Sequence, residues 1–178
     1  MRYVKQTITI MAIATMAMLL SIDSALAQRD AGSKIRGEYN FYGGAGGRSM
    51  RGARDYSRDY TQYARTAPAQ QVNPEVAREA ADSIGQYITK AQKHMAAMRK
   101  HAAATNDKET LTSLDSIDKN LADAAKSHAE MHETCLKDNV DAAASMECCK
   151  TIDGSLSAAI TEHDKLMKRL SGPKPAAK

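Results

Sequence analysis

The sequence predicts an all-α protein, an antiparallel three-helix bundle behind a disordered N-terminal region. Three observations carry this expectation. Apolar residues recur at alternating spacings of four and three along three stretches between Asn73 and Leu170. This is the heptad pattern of packed helices, not the alternation of a strand. Aromatic residues make up only 4% of the chain, with one Phe and no Trp, whereas sandwiches and barrels draw on large β-formers. The breaks between the stretches are short, so successive helices must run up, down, up.

The N-terminus supplies an address. Arg2 and Lys5 precede an apolar run from Ile8 to Ile22, and Ala25-Leu26-Ala27 follows with small residues at the positions a signal peptidase reads. The run is shorter than the ~20 residues a membrane span needs. Residues 1–27 are therefore expected to be a signal peptide, leaving no stable span after cleavage and placing the mature protein in a secreted or periplasmic compartment. Disulfides are permitted there.

Residues 28–72 differ in composition. The stretch is rich in Gly, Arg, Tyr and Gln and poor in aliphatics, with eight basic residues against four acidic ones. So little apolar surface does not offset the entropy of ordering, and a flexible basic segment is expected. Tyr56, Tyr60 and Tyr63 fall at i, i+4 and i+7, a shared helical face that allows a short fourth helix to dock. Arg charge with Tyr stacking faces also suits attachment to a polyanionic envelope or matrix component.

The bundle is expected over residues 73–172. Asn73-Pro74-Glu75 reads as a cap, a first-turn proline and a first-turn acid. The first seam is Ala77, Ala81, Ile84, Ile88, Ala91, Met95, Met98 and Ala102, ending near Ala104. Asn106 with Glu109 resembles a capping box. The second seam is Thr110, Leu114, Ile117, Leu121, Ala124, His128, Met131 and Cys135. The third, from about Val140, is Ala142, Ser145, Cys149, Ile152, Leu156, Ala159, His163, Leu166 and Leu170, stopped by Gly172 and Pro173. Residues 173–178 form a disordered tail. Seams this rich in Ala give a thin core that calls for a further fastening.

Function is sought in the His, Met and Cys. Folding the second and third helices about a turn at Asp138–Asn139 sets Cys149 beside His128 and Met146 beside Met131, with His132 and Cys135 nearby. Folding the first pair about Asn106 gathers His94, Met95, Met98, His101 and His163 at the other end. Imidazole, thioether and thiolate are soft donors that suit Cu(I), or zinc where Cys and His dominate. The expected metal residues are His128, His132, Cys135, Cys149, Met131 and Met146, with His94, Met98, His101 and His163 as a second group. The competing reading is a disulfide from Cys135 to Cys148 or Cys149 stapling an envelope or matrix interaction protein. The sequence lacks an H-E-x-x-H, P-C-x-x-C, C-x-x-C-H, G-x-S-x-G or Walker string, so metal buffering or carriage, not catalysis, is the expected activity.

Overall fold

A computed structural model describes residues 36–67 and 71–172. The signal peptide and the C-terminal tail expected from the sequence lie outside these residues. The chain divides after Glu38 into two units. Of the first, residues 36–38 are described and are helical. The packing of the helices belongs to the unit that begins at Tyr39.

The described residues are all-helical and form four helices, not three. Helix α1 covers 36–66, α2 Pro74–Ala104, α3 Lys108–Cys135 and α4 Ala142–Ser171. The last three follow the sequence closely. Asn73 caps α2 by accepting from the Glu75 N–H at 2.8 Å, with Pro74 in the first turn. The buried stripe of α2 is the predicted seam, residue for residue. Helix α3 starts one residue later than a capping box at Asn106 implies. Asn106 takes a left-handed turn (φ 52°), and Asp107 is the cap, accepting from the Thr110 N–H and hydroxyl at 3.0 and 2.7 Å. In α3, Ser127 is buried where the spacing places His128, while His128 is half-buried. In α4, Ile160 joins the predicted seam and Leu170 stays half-exposed.

Helix α1 is the main correction. The flexible segment and the short docked helix both underestimate it: the Gly/Arg/Tyr-rich stretch is helical throughout residues 36–66. Its buried stripe runs through Tyr39, Gly43, Gly46, Met50, Ala53, Ser57, Tyr60 and Ala64, with Gly47 and Ser49 buried beside it. The spacing is four, three, four, three, the same heptad as its neighbours, written in small and hydroxylated residues. Gly43, Gly44, Gly46, Gly47 and Gly52 each cost a free helix ~1 kcal/mol. Packing must offset that, and the glycines are where packing is closest. A Cβ on Gly46 would stand 2.2 Å from Met95 Cε, and one on Gly43 would stand 2.3 Å from Met167 Sδ.

Partner pairs fix the arrangement. Helix α1 lies antiparallel to α4, through Arg51–Asp164 at one level and Arg58–Asp153 at another. It is also antiparallel to α2, through Tyr42–His101 and Tyr56–Tyr87. Helix α3 meets α2 through Arg99–Asp118 and His132–Asp82. It meets α4 through Met131–Cys149 and Thr110–Arg169. Each helix thus borders two antiparallel neighbours, the up-down-up-down square of a four-helix bundle. The fastening that a thin three-helix core required is the fourth helix.

Two glycines of opposite surroundings make this packing testable. Gly154 lies exposed in α4, and a Cβ placed on it would meet no atom within 4 Å, so Gly154→Ala should stabilise the fold by ~1 kcal/mol. A Cβ on Gly47 would stand 2.7 Å from Cε1 of the buried His163 ring, which a hydrogen bond to Gly43 holds in place. Gly47→Ala should therefore cost ~1–3 kcal/mol through overpacking despite its better helix propensity. Urea unfolding of the two variants checks both signs.

Candidate functional site

Three sulfur-bearing residues meet in the core between α1, α3 and α4. Met131 and Cys135 are one turn apart on α3, and Cys149 faces them from α4. All three are fully buried. The Cys149 thiol lies 3.4 Å from Met131 Sδ. Tyr60 of α1 covers the cluster, with its hydroxyl 4.0 Å from Cys135 Sγ and 3.0 Å from Ser145 Oγ. Ser57, one turn earlier, donates to the Cys149 carbonyl at 2.9 Å. A cavity of about 450 Å³ between α1 and α4, lined by Ser57, Thr61, Arg65 and Lys150 among others, reaches Cys149.

Burial governs the thiols. It pushes Cys149 up to about 12, against the lowering effect of the Ser57 and Thr61 hydroxyls. It also raises Cys135, less the effect of Tyr60, and Cys148, with Glu130 adding to the rise. All three cysteines are free thiols, so the expected disulfide is absent. The register gives the reason. Cys149 pairs with Met131, and Cys135 shares Tyr60 with Ser145. Cys135 and Cys149 therefore stand one turn, ~5–6 Å, apart along the bundle axis.

The same register separates residues that the sequence groups. The turn lies nearer Val140 than Asp138, so Cys149 comes level with Met131 instead of His128. Met146 sits half-buried on α4, away from the place expected beside Met131. His128 and His132 point away from the sulfur cluster toward α2. His128 Nε2 lies 2.8 Å from the Ala81 carbonyl, and His132 Nε2 lies 3.4 Å from Asp82.

The second predicted group is packed against the glycines of α1. Met95 and Met98 are fully buried, and Met98 Sδ and Met167 Sδ both approach Gly43. His163 is buried and donates through Nε2 to the Gly43 carbonyl at 2.8 Å, with Nδ1 3.2 Å from Asp164. His94 and His101 lie beside the Tyr42 ring, at centroid distances of 6.2 and 5.8 Å. Burial lowers the pKa of His94, and nearby Lys93 and Arg48 lower it further. His163 is held by the Gly43 carbonyl and His94 and His101 by the Tyr42 ring, while the buried His94 Nδ1 has no hydrogen-bond partner among the described residues. Among the described residues, no three or more His, Cys, Asp or Glu stand together in a ready metal cage.

Met167, Ser57, Tyr60 and Thr61 escape the sequence reading of the site. The signal that could have found the α1 residues is the 4–3 spacing, which runs unbroken from Tyr39 to Ala64 once hydroxyls and glycines are admitted as core. Two arginines of α1 bind α4 instead of standing free: Arg51 to Asp164 at 2.7 Å and Arg58 to Asp153 at 2.6 Å. Partial burial alone would raise the Asp164 carboxyl, but Arg51 and His163 outweigh it and hold it below its ordinary value. A depressed carboxylate adds stability above its unfolded value, ~3.9, and loses it as pH falls through the folded one. Asp164→Asn should thus destabilise the fold at pH 7 by less than about 1 kcal/mol, as an exposed pair does, and should weaken its acid sensitivity below ~pH 4. Denaturant midpoints at pH 7 and pH 3 check this.

The fold and site define a four-helix bundle with a buried thiol–thioether cluster. No helix among the described residues is long and apolar enough to cross a membrane. Comparison with known protein families, curated proteins and solved structures finds no match.

Proposed function

We propose that the protein binds Cu(I) through Cys149, Cys135 and Met131, and buffers or carries the ion without a reaction, in a secreted or periplasmic setting. The observation that carries this reading is the 3.4 Å approach of Cys149 Sγ to Met131 Sδ, with Cys135 on the adjacent turn. Few donors, all of them sulfur, suit a soft monovalent ion. Zinc takes four N, S or O ligands, and the imidazoles that would complete its shell face elsewhere, so copper is favoured over zinc here. The cavity that reaches Cys149 offers a route inward. Buried thiols that stay protonated when empty also resist adventitious oxidation, since the thiolate is the reactive form.

The reading is tested by titrating Cu(I) into the full chain against a competing chelator. One equivalent should bind tightly, and Met131→Leu, which keeps the volume, should weaken binding while leaving the fold intact. Binding no tighter than micromolar, or binding indifferent to Met131 and Cys149 together, would sink it. The alternative, a polyanion-binding basic segment, is weakened by the engagement of Arg51 and Arg58 with α4.

A further inference from the structure

We propose that the outer face of α1 and α2 binds a single-stranded nucleic acid, with Arg48, Lys90, Lys93 and Lys100 meeting its phosphates and aromatic rings stacking on its bases. The surface is separate from the sulfur cluster and does not depend on it. Its origin is a pattern in the chain. Residues 39–54 of α1 contain three Arg and no Asp or Glu, and residues 83–104 of α2 contain three Lys, one Arg and again no acid. The antiparallel packing lays these two stretches side by side. Tyr42 meets His101 near one end, and Tyr56 meets Tyr87 near the other. One acid-free stretch on one helix is an ordinary solvated face. Two on neighbouring helices concentrate positive charge that neither helix neutralises.

Three of these basic residues are engaged elsewhere. Arg51 binds Asp164, Arg54 binds Asp55, and Arg99 binds Asp115 and Asp118. Arg48, Lys90, Lys93 and Lys100 are exposed and form no ion pair among the described residues. Burial is the first reason that the His94 pKa is low, and Lys93 and Arg48 are the next, so a cation from each helix acts on that ring. The helix diagonal to α1 has the opposite sign: α3 carries six acidic residues against three basic ones. The positive field is therefore one-sided, the footprint that draws a polyanion to one face.

The rings select the kind of polyanion. Tyr87, His94 and His101 follow one another along α2 at seven-residue steps, ~10 Å each, and each meets a Tyr ring of α1. A cation accompanies every step. Lys90 Nζ lies 5.3 Å from the centroid of the Tyr87 ring, while Lys93 and Lys100 precede His94 and His101 directly. Phe41 at one end of the stripe is 64% exposed, and Tyr56 at the other is 42% exposed. Cations interleaved with rings over ~20 Å suit a single strand, whose bases lie on aromatic faces while its backbone follows the charge. A duplex keeps its base faces inside, and an acidic polysaccharide has no bases.

Fluorescence anisotropy of a labelled oligothymidine, titrated with the full chain, tests the proposal. Four phosphate contacts make log affinity fall with log salt at a slope of about −3. Lys93→Ala with Lys100→Ala should halve that slope and weaken binding at low salt by at least about tenfold. Lys119→Ala with Lys126→Ala makes the same change of net charge on α3 and should leave both unchanged. Phe41→Ala with Tyr56→Ala should weaken binding by about tenfold without altering the slope, since stacking releases no counterions. No binding at low salt, equal losses from the two lysine pairs, or indifference to Phe41 and Tyr56 would each overturn the proposal. A chain that binds a heparin fragment but not the oligonucleotide would assign the face to an acidic polysaccharide. Salt-sensitive self-association with no oligonucleotide bound would assign it to the acidic α3 of a second copy. Either result overturns the proposal as well.

Discussion

Removing residues 36–66 should leave a chain that no longer unfolds cooperatively. Met50 and Tyr60 are 0% and 3% exposed, and losing the burial of each forfeits ~1.5–3 kcal/mol. Their partners lose cover too. Met95, Met98, Met167 and His163 all pack on α1 glycines, and the Tyr60–Ser145 and Ser57–Cys149 hydrogen bonds disappear. Against a total stability of ~5–15 kcal/mol, the remaining three helices keep Ala-rich seams with one wall open. The expected result is a lowered m-value, a broad thermal transition and binding of a hydrophobic dye, the signature of a loosened core. A flexible linker predicts the opposite, an unchanged midpoint and slope. That outcome would return α1 to the status its composition suggests.

The second large effect concerns Cu(I) and protons. Burial holds Cys149 near 12 and Cys135 above its ordinary value, so both are thiols at neutral pH in the metal-free protein. Each thiolate formed on copper then releases a proton. Affinity must fall as pH falls, by ~10-fold per unit for each thiol and ~100-fold for two. The slope between pH 5 and 8 therefore counts the thiolates. Cys149→Ser should reduce Cu(I) affinity by more than ~100-fold, beyond the range of outer-shell changes, and halve the slope. It should also remove the stabilisation that saturating Cu(I) gives the wild-type protein, ~2.7 kcal/mol at a hundred times Kd. A pH-independent affinity would place the ion on thioether or imidazole donors instead.

Much of the bundle can be read from the chain. The α2 seam is legible in full because Ile, Met and Ala at heptad spacing point one way whatever surrounds them. The α3 seam fails only at His128, and physics explains the exchange. An imidazole gains more from the Ala81 carbonyl at the groove edge than from an unpaired place in the core, and the small Ser127 fills the gap. The residue types of the candidate site are also legible; their grouping is not. A turn centred one to two residues later moves Cys149 from His128 to Met131, and with it the imidazoles leave the sulfurs.

Three amphipathic helices packed along Ala-rich seams are legible in the residues alone, with the first start marked by Asn73; the caps at Asp107 and Asp141 are seen only in the structure. The seams are legible because heptad spacing is local, encoded within a few turns. The Gly- and Arg-rich stretch is different: its helix depends on contacts with its neighbours. A glycine lowers intrinsic helix propensity, yet it also permits the closest approach of two helices, and composition registers only the first effect. Gly43, Gly46 and Gly47 are helical because Met167, Met95 and His163 fill the space above them, side chains that reach across from α2 and α4.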